Sequence, residues 1–472
     1  MKLSVFAQNY QGRMKGKDVD FKGISIDSRK EQANKIFICL DGKNFDSHEY
    51  ANEAVANGAV ACISNKELNV DVPQFIVQDT RKAYSKLASM LYGEPQKKLK
   101  LIAITGTNGK TTTAYLLKKV FDAAGKKSGY IGTLFVEYLG IREESILTTP
   151  DPEQLFALLD KMAKNRVEYV FMEASAHALY LKKLDCLCFD VAILTNVTRD
   201  HLDYFGEMNK YIKAKKSLFS EAKSKMGIIN VDDKVGFDIL KNSEIPTVTY
   251  GITNPADVFA VDIVYNKGMN FTVNMYDIVF EVNTTLCGSF NVLNILAVCA
   301  TAGYFGIGPK EILEAIHDIS IPGRFNVYDN NGKKVVIDYA HTPDGLKKVL
   351  IAALDLTVGK VITVFGCGGD RDSGKRSEMG AVASALSDYV IITNDNPRSE
   401  NQLKIAEQIE AGVMDMEDCE IILDREEAIK RGIMLANVGD VVVIAGKGAE
   451  EYMEINGEKI PFSDESIVKK YL

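Results

Sequence analysis

Seven short apolar runs in this chain are each followed at once by a segment rich in glycine or in ionisable side chains. Residues 101–104 lead into TGTNGKTTT, 169–172 into Glu173, and 191–194 into TNVTRDHLD. Further on, 335–337 lead into DYAHTP, 361–365 into GCGGDRD, 389–392 into TNDNPR and 441–445 into GKGAE. Runs that are apolar at every position, rather than at alternate ones, read as strands of a parallel sheet buried on both faces. Helical stretches separate them, so the fold class is α/β. In such sheets ligands bind beyond the carboxyl ends of the strands. A polar loop after one strand means little; seven with this chemistry point to two facing sites.

The runs fall into blocks. At roughly 150 residues per domain, 472 residues suggest three domains. The first block spans 1–98 and closes on the polar linker GEPQKKLK. The second, 99–322, adds an alternating, β-rich patch from about Val258 to Val282. The third, 323–472, alternates strand and helix throughout, with a further strand at 420–423. A net charge of −8 without a long basic run argues against a dedicated nucleic-acid binder. The longest apolar stretch, 295–307, is too short to cross a bilayer, and the start MKLSVFAQNYQG turns polar too soon for a signal peptide. The expectation is a cytoplasmic protein that is not membrane-embedded. Its eight cysteines show no C-x-x-C pair, and Cys186 and Cys188 read as small residues near a strand, so free thiols are expected.

The segment Thr105-Gly106-Thr107-Asn108-Gly109-Lys110-Thr111-Thr112 reads as a phosphate-binding loop between strand and helix. Its glycines let successive N–H groups point inward, and the helix N-terminus adds positive potential. Lys110 would neutralise β/γ-phosphate charge and the Thr111 hydroxyl would ligate Mg²⁺. Ile104 stands where such loops usually begin with glycine. Glu173, after its strand, can complete an oxygen shell for Mg²⁺. His201 in RDHLDYFG and Lys215 in YIKAKKSLF are undistinguished as single residues. Of five histidines, His48, His177, His201 and His341 fall in motif segments and His317 does not. There is no H-E-x-x-H and no G-x-S-x-G. In the third block Gly366, Gly368 and Gly369 precede Asp370 and Arg371, and Asp395-Asn396-Pro397-Arg398 closes another strand. Two arginines with Asp395 and Glu450 make a pocket of both signs, suited to a zwitterion.

Together TGTNGKTTT, DHLDYFG, GSFNVLN, PGRF, DYAHTPDGL, FGCGGDRD, DNPR and GKGAE, with IDSR at 26–29 and DTRKA at 79–83, resemble the Mur ligases, in particular the tripeptide-synthetase branch. The resemblance spans nearly the whole chain. It implies an N-terminal uridine-nucleotide domain, a central ATPase domain and a C-terminal Rossmann-like domain that binds the amino acid. It implies an ATP-dependent ligase that adds meso-diaminopimelate to UDP-MurNAc-L-Ala-D-Glu through an acyl phosphate, with Mg²⁺, as a monomer and without nucleic acid. A ligase of the same fold using L-lysine or a modified acceptor stays open, as does, more distantly, a non-catalytic nucleotide-binding regulator. By resemblance, Ser28 contacts the uridine portion, and Thr148, Thr149, Ser175 and Lys183 line the muramoyl-dipeptide pocket. Asn291 and Asn294 match adenine-side positions; Arg324 and Asp338 match ribose contacts. Glu173 and Thr111 match ligands of one Mg²⁺ and His201 of another, and Lys215 matches a carbamylated lysine. Arg371, Asp395, Asn396, Arg398, Gly446 and Glu450 match the amino-acid site. The chain departs from the family pattern at Ala449, where histidine is usual, at Ala176, Leu181 and Lys183 around SAHALYLKK, at Leu147, and at Asn326.

Overall fold

The computed structural model describes residues 1–42, 45–265 and 268–472. The chain divides into two compact units, one of 1–103, 126–192 and 217–226, the other of 104–125, 193–216 and 227–472.

The first unit opens with a five-stranded sheet in the order Arg13–Lys15, Gln74–Ile76, Ala61–Ser64, Lys35–Ile38, Gly23–Ser25. Only Arg13–Lys15 runs antiparallel to its neighbour. The inner strands KIFI and ACIS are buried almost throughout, as their apolar sequences require. Asp79 caps the helix Thr80–Leu91 by accepting from the N–H groups of Arg81 and Lys82. In the rest of this unit Tyr169–Glu173 pairs in parallel with Ser128–Ile131, and two antiparallel strands, Val136–Tyr138 and Ile141–Glu143, follow outward.

In the second unit Gly227–Asn230 and Thr247–Gly251 pair in parallel, and a meander of Val258–Tyr265, Met269–Met275 and Ile278–Thr284 extends them. This is the alternating patch of the sequence, and along Met269–Met275 every second residue is fully buried. Of the apolar stretch 295–307, residues 295–304 belong to the helix Ser289–Tyr304, buried from Asn294 to Ala302, and the rest follows its end. Among the described residues no helix is long and apolar enough to cross a membrane.

The same unit holds a six-stranded sheet in the order Asn326–Asn330, Lys333–Asp338, Val441–Ala445, Val361–Phe365, Tyr389–Ile392, Cys419–Ile421. All pairs are parallel except the first. Successive side chains alternate between two cores. Val336, Phe365, Val441 and Val443 face the helices Pro343–Leu354, Lys375–Leu386 and Gln402–Glu410. Val335, Ile337, Val442 and Ile444 face Arg425–Leu435 and Asp464–Tyr471. Helices on both faces explain why these strands carry no polar alternation. The edge strand expected at 420–423 lies one position earlier at its start and stops at Ile421. All eight cysteines are free thiols.

Candidate active site

The glycine loop is built in the second unit, where the strand Lys100–Thr105 ends and the helix Lys110–Ala123 begins. Its shape is imposed by the segment after Val191–Leu194. Thr107 N donates to Asn196 O at 2.7 Å, Asn108 N to Asn196 Oδ1 at 3.0 Å, and Thr195 Oγ1 to Asn108 O at 2.6 Å. Thr107 Oγ1 lies 3.0 Å from the Tyr211 hydroxyl and accepts from Thr198 N. Gly106 and Gly109 have φ of 151° and 85°, and a Cβ at either would collide with Thr195 Oγ1 or Asn294 Oδ1. Among the described residues no side chain caps the helix. A helix N-terminus of this kind suits an anion. Lys110 Nζ curls over the loop, donating to Gly106 O and Thr107 O.

Lys215, on the helix Met208–Lys216, is buried rather than solvated. Its Nζ donates to Gly106 O at 2.6 Å and lies 4.6 Å from the centre of the Tyr211 ring. Burial first, then the neighbouring Lys110, pushes its pKa well below the usual lysine value. His201 has a left-handed backbone (φ 56°), and Asp200 beside it, which the sequence did not single out, accepts from His201 N and lies 3.3 Å from His201 Nε2. Asp200 is also 4.0 Å from His341 Nε2. Burial opposes its ionisation, but His201, His341 and Lys375 hold its carboxyl below the usual range.

The nucleotide-side candidates are close at hand. Asn294 Nδ2 donates to Asn291 Oδ1, whose own Nδ2 donates to Cys287 O. Arg324 Nη2 donates to Thr111 Oγ1 at 3.0 Å, its guanidinium stacks 4.5 Å from the centre of the Tyr339 ring, and its buried Nε has no hydrogen-bond partner among the described residues. Asp338 accepts from Phe325 N and Ala340 N; burial raises its pKa against those bonds and Arg324. Asn108 Nδ2 donates to Asp344 Oδ2 at 3.1 Å, and Arg199 pairs with Glu378.

The amino-acid candidates gather at the carboxyl ends of the six-stranded sheet. Asn396 is fully engaged: its Nδ2 donates to Glu450 Oε2, and its Oδ1 accepts from Lys447 Nζ and Glu454 N, each at 2.9 Å. Lys447, 0% exposed, also lies 3.3 Å from Glu450 Oε2 and 3.8 Å from Asp395 Oδ1. A Cβ on Gly446 would strike Asp395 Oδ2. Arg398 pairs with Glu454, and Arg371 is exposed, its Nη1 donating to Asp370 O. Beneath them, Arg425 grips Asp464 with two bonds of 2.8 Å and donates to the carbonyls of Asn394 and Ala445, tying two strand ends together. Lys447 and Arg425 escaped the sequence reading; the glycines flanking Lys447 were the available signal.

The first unit holds the remaining candidates. Glu173, fully buried, accepts from the Tyr130 hydroxyl at 2.7 Å and from Thr133 N and Oγ1. Thr148 Oγ1 lies 3.0 Å from Thr133 Oγ1, and Thr149 Oγ1 donates to Glu173 O. Ser175 Oγ lies 3.2 Å from Thr149 Oγ1 and caps the helix Ala176–Tyr180 by accepting from Ala178 N. Lys183 pairs with Asp151. Ser28 is apart from this cluster in its bonds: its hydroxyl donates to Glu53 and its carbonyl accepts from Asn57. The four residues matched to metal are thus divided, Thr111, His201 and Lys215 in the second unit and Glu173 in the first.

Comparison with known proteins adds names to this geometry. Three family models match: the Mur ligase family catalytic domain over residues 20–92, the Mur ligase middle domain over 104–302, and the Mur ligase glutamate ligase domain over 323–448. A protein of Bacillus velezensis named UDP-N-acetylmuramoyl-L-alanyl-D-glutamate–2,6-diaminopimelate ligase is 40% identical, covering 95% of this chain and 94% of its own. A protein of Aquifex aeolicus with the same name is 40% identical over 96% and 93%. A solved structure described by that name matches at a TM-score of 0.67 with 35% identity, covering 96% of this chain and 94% of its own.

Proposed function

The chain belongs to the Mur ligase family, and on that premise we propose that it is the ATP-dependent ligase joining meso-diaminopimelate to UDP-MurNAc-L-Ala-D-Glu, a step of peptidoglycan precursor synthesis. The observation that carries this reading is the placement of an uncapped glycine loop and a mixed-charge set, Asp395, Arg398, Lys447 and Glu450, in one compact unit. One takes polyphosphate and the other a zwitterion. The three blocks, 1–98, 99–322 and 323–472, then divide the work among uridine nucleotide, ATP and amino acid. The protein acts in the cytoplasm as a monomer.

A carboxylate acylates poorly. Transfer of the ATP γ-phosphoryl group to the free carboxylate of the dipeptide gives an acyl phosphate; the amine of the amino acid attacks its carbonyl, and phosphate leaves from the tetrahedral intermediate. Loop N–H groups and Lys110, swung from its carbonyls onto the phosphates, spread the charge of the first step. Asn291 and Asn294 hold the adenine, and Arg324 and Asp338 the ribose. Ser28 holds the uridine, while Thr148, Thr149, Ser175 and Lys183 orient the dipeptide. Arg371 and Arg398 grip the carboxylates of the amino acid, with Asp395, Asn396, Gly446 and Glu450 around its distal head. Water excluded from the closed site cannot hydrolyse the acyl phosphate.

The donor set fits Mg²⁺, a hard cation that prefers oxygen. Within the second unit Thr111 would offer an oxygen and His201 an imidazole, and within the first Glu173 would offer a carboxylate. Lys215 fits only once its charge is reversed: its depressed pKa favours the neutral amine, which adds to CO₂ and releases a proton to leave an anionic carbamate. Bound there, Mg²⁺ supplies positive charge against the phosphoryl oxygens.

The test is phosphate release from ATP with UDP-MurNAc-L-Ala-D-Glu and a panel of amino acids. Release that requires both the nucleotide dipeptide and meso-diaminopimelate is expected; release with the dipeptide absent, or none with any amino acid, refutes the reading.

A further inference from the structure

Arg398, one of the two arginines given above to the carboxylates of the incoming amino acid and here assigned the distal one, already holds a carboxylate of this chain. Its Nε donates to Glu454 Oε2 at 2.9 Å and its Nη1 to Gly369 O at 2.7 Å. The pairing is not a chance meeting of two long side chains. Glu454 lies on the hairpin strand Tyr452–Ile455, which is hooked to the DNPR loop by its main chain. Arg398 N donates to Glu454 O at 3.0 Å, Asn456 N to Arg398 O at 2.8 Å, and Glu454 N to Asn396 Oδ1 at 2.9 Å. Arg398 itself takes a left-handed backbone, φ 51°, to face the hairpin. The two side chains are 22% and 30% exposed, so the pair lies at the margin of the site, where a ligand can reach it.

A guanidinium meets a carboxylate best along an edge, with two parallel N–H···O bonds. In Arg398 one nitrogen of each such edge is taken, Nε by Glu454 and Nη1 by Gly369 O. A ligand carboxylate gains a bidentate contact only by displacing one of them. The carboxylate of Glu454 is the one on a side chain, free to turn away.

We propose that Glu454 is a specificity-determining residue, an internal carboxylate that competes with the distal carboxylate of the incoming diamino acid for Arg398. The proposal rests on the ligase reading above. Meso-diaminopimelate must displace Glu454 and so binds less tightly than Arg398 alone would allow. L-lysine has no distal carboxylate; it leaves the Arg398–Glu454 pair intact and offers its ammonium to the acidic side of the site. Glu454 therefore narrows the preference between the two.

Steady-state kinetics with both amino acids test this in the wild type, Glu454→Gln, Arg398→Ala and the double variant. Glutamine keeps the size of the side chain and the main-chain hooks and removes only the charge. In Glu454→Gln the KM for meso-diaminopimelate should fall about fivefold, the effect of one partly exposed charged pair. The ratio of kcat/KM for meso-diaminopimelate over lysine should rise by a similar factor. In the Arg398→Ala background the same substitution should leave that KM where it was, because its effect runs through the guanidinium. A KM that rises or stays fixed in Glu454→Gln, or one that falls equally without Arg398, overturns the role given to Glu454 and leaves the ligase reading standing. A wild type that turns over neither amino acid overturns both.

Discussion

A lysine is usually a solvated side chain, but Lys215 and Lys447 are buried. Lys447 is sealed among Asn396, Glu450 and Asp395. Removing one member of a buried charged set leaves the others uncompensated, at a cost of about 3 kcal/mol. Lys447→Met should therefore lower the melting temperature and raise the KM for the amino acid by more than tenfold, read by thermal denaturation and by kinetics. An unchanged KM would confine Lys447 to stability. Lys215→Ala should abolish ligation, and millimolar short-chain carboxylic acids should partly restore it by returning an anion; full activity without rescue would exclude the carbamate. Lys110→Ala should raise the barrier to phosphoryl transfer by several kcal/mol, measured as kcat for ATP turnover. Lys110 was legible because its glycines and threonines form a recognised spacing. Lys215 was legible only by resemblance, and Lys447 not at all. Burial is a property of what packs around a residue, and GKGAE does not say that Asn396 and Glu450 will close over its lysine.

Elements were legible in proportion to how completely they are buried. Val191–Leu194, Val361–Phe365, Tyr389–Ile392 and Val441–Ala445 fall where their apolar runs do. The edge strand Asn326–Asn330 and the hairpin Tyr452–Ile455 with Glu458–Pro461 did not announce themselves. An exposed edge tolerates polar residues, and NVYDN becomes a strand through pairing with Lys333–Asp338. Loop contacts between neighbouring strands are equally invisible in sequence. Asp232, just after Gly227–Asn230, accepts from the N–H groups of Ile252, Thr253 and Asn254, just after Thr247–Gly251. Burial opposes its charge, yet the Ile252 and Thr253 bonds bring its pKa below the usual value. A carboxyl whose folded pKa is lowered stabilises the protein above its unfolded pKa, and that stabilisation is lost as pH falls through the lowered one. Asp232→Asn should thus cost about 1 kcal/mol near neutrality, solvent screening included. The gap to the wild type should close below about pH 4, as followed by denaturant titration across pH. A gap independent of pH would show that the carboxylate charge is not what holds the loop.

Across the whole molecule, the seven strand-to-loop junctions foretold the α/β sheets. The residues proposed for ATP, from the glycine loop through Asn291, Asn294, Arg324 and Asp338, all belong to the second unit. A non-hydrolysable ATP analogue at a hundredfold excess over its Kd should stabilise the protein by about 2.7 kcal/mol. Hydrogen exchange should register that protection in the second unit; protection confined to residues 1–103 would contradict the assignment. How the chain distributes itself between units was beyond the reach of pattern, because contact at long range decides it. The chain passes back and forth, with 104–125 and 193–216 given to the second unit and 126–192 and 217–226 to the first. A ribosome therefore finishes the first unit at Met226 while the second still lacks everything from Gly227 onward. The glycine loop, emitted early, must wait for the strands, helices and arginines that will surround it. A nascent chain halted at Met226 would carry a complete TGTNGKTTT but none of Asn291, Asn294, Arg324 and Asp338, the other residues proposed for ATP.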